Sequence, residues 1–258
     1  MICASQVAIR SSARRNVALI YDVELNSLER IIPIEEDAGV MMDEIKAFSI
    51  SPDGKTLGVA CSYLYHPTVF LFDLNDGAKP RTLQGWNESD GMNNSIGFSS
   101  DGKLVAADSI LRRKGSESQP VIKIWDVQSG VLKTTVHVSA YTTQKVRFSP
   151  QSNDIAADDG KSIKIWNAGK SDLKKTLSGH KQLITDWNYC NDAKMIVSTD
   201  GVEIKVWDVA TGKAVATKEV ATLANNDATT VDFVYGEQQN SIAVGFKNGE
   251  LAVLRLKP

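Results

Sequence analysis

Two Gly-Lys-Ser triplets, at residues 160–162 and 169–171, are the first candidates for chemistry in the 258-residue chain. A phosphate-binding loop ends in this triplet but also needs a glycine five residues before its last glycine, so that main-chain N–H groups can surround the phosphate. Ile155 and Lys164 stand at those two positions. We therefore interpret both triplets as turns beside strands, not as nucleotide sites.

The histidines and cysteines are too few and too scattered to predict a catalytic or metal centre. The sequence contains neither Gly-x-Ser-x-Gly nor His-Glu-x-x-His, and its only histidines are His66, His137 and His180. No Cys-x-x-Cys pair occurs, and the three cysteines are Cys3, Cys61 and Cys190. We expect no enzyme activity, no metal and no cofactor, and a reducing compartment, the cytoplasm or alternatively the nucleus.

The charge balance argues against a protein that binds nucleic acid or membranes over its whole surface. The formal net charge is -2 and the pI about 6.0, so we expect no binding to DNA, and any contact with RNA or lipid headgroups must be local. No apolar run reaches the ~18 residues of a membrane-spanning helix. The first fifteen residues, rich in Arg and Ser and free of acids, keep a mitochondrial presequence open as the minor alternative.

A recurring strand must position whatever side chains act. "VIKIWDVQSG" begins at 121, "SIKIWNAGKS" at 162 and "EIKVWDVATG" at 203, each an alternating β-branched segment followed by a turn. An aromatic residue followed by an acid or amide marks five copies, and a worn copy ends the chain: Tyr21-Asp22, Phe72-Asp73, Trp125-Asp126, Trp166-Asn167, Trp207-Asp208 and Leu254-Arg255. The intervals of 41 to 53 residues are close to the ~40–45 of a four-stranded propeller blade.

Together with the strand-and-turn phrases "FSISPDGK", "FSSDGK" and "FSPQSN", these markers resemble the WD-repeat family of β-propellers along nearly the whole chain. The resemblance implies an all-β fold, a single propeller domain over residues 1–258 with six recognisable blades, or six blades of a seven-bladed ring. The expected blades are residues 1–38, 45–85, 95–136, 144–179, 182–220 and 229–258.

The family's blades carry a polar network, and one blade here matches it fully. The resemblance assigns this network to His180, Ser198, Asp200 and Trp207, after Gly179. We interpret the four side chains as structural, because a buried histidine paired with an aspartate in this setting holds a blade together. In the preceding blade Asp159 aligns with Asp200, but Ala157 replaces the serine and Ser139 the histidine, so we expect no network there.

The first blade is expected to be incomplete. In the family the chain's N-terminal strand completes the last blade, whereas here "ICASQ" aligns with "VACSY" at 59 and places residues 2–6 on a second strand. The first blade then lacks its inner strand and the last blade its outer strand. An open sheet edge exposes unpaired N–H and C=O groups.

One face is expected to carry basic and aromatic residues from the connections of blades one to three. If second-to-third-strand loops and inter-blade loops open on the same face, that face collects Arg14, Arg15, Tyr63, Tyr65, His66, Trp86, Arg112, Arg113 and Lys114. Trp86 stands where "LQGW" aligns with "LSGH", so an indole replaces the histidine. Trp, Tyr and Arg dominate binding hot spots, although Trp86 could equally be packed against the blade edge and the charged tips could be merely solvated.

These observations predict a noncatalytic scaffold for protein–protein interaction that binds protein partners, with acidic or phosphorylated peptides as the fitting class. The alternative is RNA or phospholipid-headgroup binding through the basic-aromatic face. A third possibility, an enzymatic propeller, would need carboxylates and histidines that converge on the central channel.

Overall fold

In the computed structural model, the described residues cover most of the chain. They are residues 6–12, 15–22, 27–34, 44–63, 66–75, 79–85, 94–111, 118–139, 143, 145–220, 227–234 and 241–255. All statements below concern these residues. No helix among them is long and apolar enough to cross a membrane.

Twenty-two β-strands form six antiparallel sheets, numbered here in chain order. Sheet 1 contains β1 (Gln6–Ser12), β2 (Arg15–Asp22) and β3 (Ser27–Pro33). Sheet 2 contains β4 (Glu44–Ile50), β5 (Thr56–Tyr63), β6 (His66–Asp73) and β7 (Arg81–Thr82). Sheet 3 contains β8 (Ile96–Phe98), β9 (Leu104–Leu111), β10 (Gln119–Asp126) and β11 (Leu132–His137).

The remaining three sheets follow the same plan. Sheet 4 contains β12 (Val146–Phe148), β13 (Asp154–Asp159), β14 (Ser162–Asn167) and β15 (Leu173–Ser178). Sheet 5 contains β16 (Asp186–Tyr189), β17 (Met195–Thr199), β18 (Glu203–Asp208) and β19 (Lys213–Glu219). Sheet 6 contains β20 (Ala228–Val234), β21 (Ser241–Phe246) and β22 (Leu251–Arg255).

Each sheet is a meander in which consecutive strands pair. The prediction of an all-β chain with six repeated units is confirmed, and within the described residues sheets 1 and 6 have three strands each, as expected. The marker aromatics stand on the third strand of the repeat, and a shift of register precedes the aromatic in sheets 1, 3, 4 and 5. Such a bulge bends the strand and re-aims side chains locally.

The hydrophobic core consists of layers between consecutive sheets. One layer joins sheets 1 and 2 around Ile34 and Leu57, and another joins sheets 2 and 3 around Val69 and Trp125. Further layers lie between sheets 3 and 4, sheets 4 and 5, and sheets 5 and 6. Each sheet buries its apolar face against its neighbours, as in other repeat architectures.

Two kinds of polar turn recur, and they account for many of the residue types that the repeats share. Between the first and second strands of sheet 2, the Ser51 hydroxyl donates to Asp53 (2.6 Å) and accepts from the Thr56 N–H (2.9 Å). The same pattern holds Ser99 and Asp101 in sheet 3. After the third strand, the carboxylates of the marker acids accept turn N–H groups, as Asp126 does from Ser129 (2.9 Å).

The placement of the first strands corrects the sequence analysis. The second strand of the repeat in sheet 1 is β1, Gln6–Ser12, which pairs with β2 from Gln6 opposite Tyr21 to Ser12 opposite Arg15. Of residues 2–6, which the sequence places on this strand, only Gln6 is among the described residues. Arg15 lies on β2 and pairs with Ser12, while Tyr63 and His66 lie on β5 and β6 and form the last pair of that ladder. These three residues are therefore at the ends of strands, whereas the sequence analysis placed them in loops.

Candidate functional site

The most developed polar cluster lies in sheet 5 and contains the four side chains that the sequence grouped together. The indole Nε1–H of Trp207 on β18 donates to Ser198 Oγ on β17 (2.8 Å), and His180 Nε2 lies 2.7 Å from the same oxygen. The rings of His180 and Trp207 are tilted against each other, with centroids 5.9 Å apart. Trp207 and Ser198 are fully buried, so these contacts satisfy groups that water cannot reach.

Asp200 connects the network to the main chain. Its Oδ2 accepts the N–H groups of Lys181 (3.1 Å) and Gln182 (3.0 Å), and its Oδ1 accepts those of Val202 (3.1 Å) and Glu203 (2.9 Å). Burial acts to raise the pKa of Asp200, but these main-chain donors outweigh it and lower the pKa. One carboxylate thus holds both the connection before β16 and the turn before β18.

Burial favours the neutral form of His180. Burial lowers its pKa and outweighs the opposing effects of Asp200 and Glu203. Its Nδ1 lies 3.3 Å from Asp200 Oδ2 and 3.6 Å from Glu203 Oε1, without the alignment of a hydrogen bond. The Lys205 ammonium lies 3.2 Å from Glu203 Oε1 and balances that carboxylate.

His180, Asp200 and Glu203 also meet the distance requirement for three metal ligands, since their ligand atoms lie within 4.8 Å of one another. The donor set nevertheless fits a divalent cation poorly. Both Asp200 oxygens already accept two N–H groups each, and Glu203 faces the Lys205 ammonium. A cation would have to displace these contacts and approach a positive charge.

Sheet 4 differs from the expectation that its network is absent. Ser139 Oγ donates to Asp159 Oδ2 (2.8 Å), and the Lys164 ammonium contacts both residues. The lysine two places before the tryptophan therefore takes part, whereas Ala157 leaves Trp166 without the hydroxyl that Ser198 offers Trp207. A smaller, partly exposed cluster replaces the buried one.

The loops of the repeat open where the sequence analysis assumed. The Ile184 N–H, before β16, donates to the Gly160 carbonyl in the turn between β13 and β14 (2.9 Å). The Ala228 N–H donates in the same way to Gly201, between β17 and β18 (3.1 Å). Connections between sheets and second-to-third-strand turns thus meet on one face, at least from sheet 4 to sheet 6.

Most residues predicted for the basic-aromatic face fall outside the described residues. These are Arg14, Tyr65, Trp86, Arg112, Arg113 and Lys114. Arg15, Tyr63 and His66 lie on strands, as given above. Leu111 and Gln119 pair at the end of the β9–β10 hairpin, which places the segment 112–117 between a second and a third strand, as expected. The assembly of this face remains a prediction.

Sequence reasoning missed a charged cluster at the first strands of sheets 4, 5 and 6. We call the first strands β4, β8, β12, β16 and β20 the inner strands, because first strands of neighbouring sheets contact one another, as β4 and β8 do. The Lys145 ammonium pairs with Asp186 Oδ1 (2.8 Å), and Asp186 Oδ2 accepts the Thr230 hydroxyl (2.6 Å) and the Val231 N–H (3.0 Å). These contacts join sheets 4, 5 and 6 across residues about 40 apart in sequence. The only sequence signal is the alternation of charged and apolar residues on short strands, as in "KVRF".

Comparison with solved structures identifies the fold. A chain of the crystal structure of the mitotic checkpoint complex superposes with a TM-score of 0.71 at 17% sequence identity, over 94% of this chain and 69% of that one. No protein-family model matches the sequence, and a comparison with curated proteins finds no match. The chain is a β-propeller, as the repeat predicted, and at this identity the likeness concerns the fold alone.

Proposed function

We propose that this chain is a noncatalytic scaffold of the WD-repeat type that binds protein partners through the connections on one face of the propeller. The observation that carries the proposal is the closed state of the polar network in sheet 5. His180, Ser198 and Trp207 bind one another, and Asp200 binds four main-chain N–H groups. The group that most resembles an active site is thus committed to holding loops in place.

The loops that Asp200 fixes present apolar side chains to solvent. Leu183, one residue after the segment that Asp200 holds, is 65% exposed, and Val202 is 51% exposed. Main-chain hydrogen bonds order both loops without a partner, so binding costs less conformational entropy than ordering a free loop. A loop face that is already ordered and exposes apolar and charged side chains is suited to binding a protein partner.

Two features of the comparisons and the sequence support the scaffold role. One structural neighbour is a chain of a protein assembly, the mitotic checkpoint complex. The strand phrases and the network of sheet 5 match the WD-repeat pattern residue by residue. The partner class that fits the sequence is an acidic or phosphorylated peptide, bound by Arg112, Arg113 and Lys114 beside Trp86, because guanidinium groups bind carboxylate and phosphate bidentately.

Charge reversal tests this assignment. The double variant Arg112→Glu and Arg113→Glu should capture at most about a tenth of each specific partner in quantitative affinity purification. The matched control reverses two exposed lysines, Lys170→Glu in the turn after β14 and Lys213→Glu at the start of β19, and should capture partners normally. Equal capture by both variants would place the binding surface elsewhere.

His180→Ala separates the structural role of the network from binding. We expect it to lower the melting temperature and to leave capture unchanged when binding is measured well below the melt. Lost capture at an unchanged melting temperature would instead make His180 part of the binding site.

A further inference from the structure

A cavity of about 310 Å³ opens among the inner strands of four consecutive sheets. Its wall is formed by Ala47 and Phe48 of β4, Asn94, Ser95 and Ile96 at β8, Lys145 and Arg147 at β12, and Thr185 and Asp186 at β16. The volume is at the lower end of ligand pockets, which begin at ~300 Å³. One part of the wall is apolar and another carries full charges, so the cavity suits a small group with both characters.

The charged side chains of this wall differ in how many ion pairs and hydrogen bonds they already make. Lys145 is paired with Asp186, whose second oxygen accepts two further hydrogen bonds from β20. Arg147, by contrast, has within the described residues one hydrogen bond, from Nη1 to the Val146 carbonyl (3.1 Å), and no carboxylate within 4.0 Å. A guanidinium keeps its charge and offers five N–H donors in a planar fork.

The backbone around Arg147 is fixed before any ligand arrives. The Lys145 N–H donates to Asp158 (2.8 Å) and the Val146 N–H to Ser95 Oγ (3.0 Å), which ties β12 to β13 and to β8. Phe48, which also lines the cavity, is 38% exposed, an unusual fraction for a phenylalanine on an inner strand. A preorganised arginine thus faces a cavity that also holds an uncovered aromatic ring.

We infer that this cavity binds a carboxylate that is attached to an apolar group, with Arg147 as the ligand for the carboxylate and Phe48 as the contact for the apolar part. A carboxylate matches the geometry of the guanidinium fork and can accept two parallel N–H bonds from it. One negative charge also matches the single uncommitted cation. A phosphate dianion would bring a second charge toward Asp186 and Asp232, which are near enough to act on Arg147 electrostatically.

The carrier of the carboxylate is a small carboxylic acid or the acidic side chain of a bound peptide, and the chemistry is the same for both. The residues that line this site include none of those predicted for the basic-aromatic face. Its test therefore neither depends on the proposed function nor decides it.

Titration of the whole chain with four small molecules and two peptides, monitored by NMR and calorimetry, tests the inference. Benzoate should bind more tightly than acetate because of the ring contact, and more tightly than inorganic phosphate because of the charge. Benzyl alcohol should show no binding. A capped peptide with one glutamate between two leucines, and its glutamine twin, identify the source: competition between the glutamate peptide and benzoate indicates an acidic side chain, and binding of benzoate alone a small acid.

Variants that should weaken and variants that should strengthen benzoate binding make the test more specific. Arg147→Gln should weaken the affinity for benzoate about tenfold or more. Arg147→Lys keeps the charge but loses the planar fork, so its affinity for benzoate should lie between those of the wild type and Arg147→Gln. Asp232→Asn should strengthen benzoate binding about twofold, because it removes a nearby negative charge. Arg255→Gln, on the exposed end of β22, is the matched control and should change nothing.

Three results would overturn the inference: no benzoate binding, tighter binding of phosphate than of benzoate, or equal benzoate affinity in the wild type and in a folded Arg147→Gln or Arg147→Lys variant. Far-ultraviolet circular dichroism and the melting temperature establish that each variant is folded. Asp232→Asn keeps the arginine, so it still tests the electrostatic argument if both Arg147 variants fail to fold.

Discussion

Sheets 4 and 5 share the same strand plan and a buried tryptophan at the same bulge, yet they hold their loops in different ways. In sheet 5 a buried serine links histidine to tryptophan, and a buried aspartate binds two loops. In sheet 4 an alanine stands at the serine's position, and the aligned aspartate pairs with Ser139 and Lys164 nearer the surface. Each of the two sheets nevertheless forms three strand ladders, one between each pair of consecutive strands.

The comparison separates two roles of the repeat motif, the formation of the strands and the ordering of the connections between sheets. The strands form wherever apolar side chains alternate and the aromatic residue packs, because burial between sheets supplies most of the stability. The buried network adds an ordered connection between sheets. Sheet 5 should therefore be the more sensitive to loss of its aspartate, and sheet 4 the more tolerant.

The largest difference should follow removal of the two aligned aspartates. Asp200→Ala leaves four N–H groups of two loops without their acceptor, and it should lower the free energy of unfolding by about 3 kcal/mol or more. Asp159→Ala leaves Lys164 in contact with Ser139 and near solvent, so its cost should be about 1 kcal/mol. Urea denaturation of both variants measures the difference, and equal costs would show that the two clusters are equivalent.

The serine position gives the next largest effect. Ser198→Ala removes the oxygen that Trp207 Nε1 and His180 Nε2 share, and it should cost about 2 kcal/mol, because two buried groups lose a partner. The reciprocal change in sheet 4, Ala157→Ser, offers Trp166 an acceptor without a histidine beside it. We expect it to change stability by less than about 1 kcal/mol. A strongly stabilising Ala157→Ser would mean that sheet 4 lacks only this hydroxyl.

The sequence predicted the strands and the network of sheet 5 because both depend on residues close together in the repeat. Ser198, Asp200 and Trp207 lie within ten residues, and their spacing is fixed by one hairpin. The turn at Cys190 escaped notice since a cysteine replaces the serine of the "SPDGK" phrase. In the structure its Sγ accepts the Met195 N–H (3.0 Å) and lies 2.9 Å from Asp192, as the serine hydroxyl does elsewhere.

The cluster of Lys145, Asp186 and Thr230 could not be predicted in the same way. Its members come from different sheets, and only the superposition of inner strands brings them together. Sequence alternation shows that alternate side chains on these strands avoid the core, but it does not show which charges meet. The extent of β1 differs from the alignment for a related reason: the strand is defined by its pairing with β2, which the alignment of "ICASQ" did not consider.

Two buried titratable groups should give sheets 3 and 5 opposite responses to pH. Burial raises the pKa of Asp108 in sheet 3 to about 7, although Ser95 and Asn94 donate N–H groups to it. The folded state then holds a proton that the unfolded state releases above pH ~4, so this stabilisation is present at low pH and is lost as pH rises through about 7. His180 acts in reverse: its pKa lies below the unfolded value of ~6.5, so its contribution is lost as pH falls below 6.5.

Asp108→Asn isolates the first of these effects. Asparagine offers the same carbonyl-type acceptor to Asn94 and Ser95 but does not titrate. Relative to the variant, the wild type should gain roughly 1 kcal/mol in free energy of unfolding between pH 8 and pH 6. Urea denaturation at four pH values measures this gain, and a constant difference between the two proteins would show that Asp108 does not titrate in this range.

The smallest effect concerns the turn in which sheet 5 departs from sheets 2 and 3. Gly54 and Gly102 adopt φ of 72° and 69° in this turn, whereas sheet 5 has Ala193 at φ 57°. A left-handed alanine is strained by roughly 1 kcal/mol, and glycine removes that strain but adds entropy to the unfolded chain. Ala193→Gly should therefore stabilise the protein by about 0.5 kcal/mol, a rise of roughly 1–2 °C in Tm. Gly102→Ala is the reciprocal: its Cβ would meet only Pro52 at an ordinary 3.7 Å, so the expected loss of about 1 kcal/mol arises from φ alone. If Ala193→Gly destabilises the protein instead, the turn of sheet 5 gains more from the stiffness of alanine than it loses to strain.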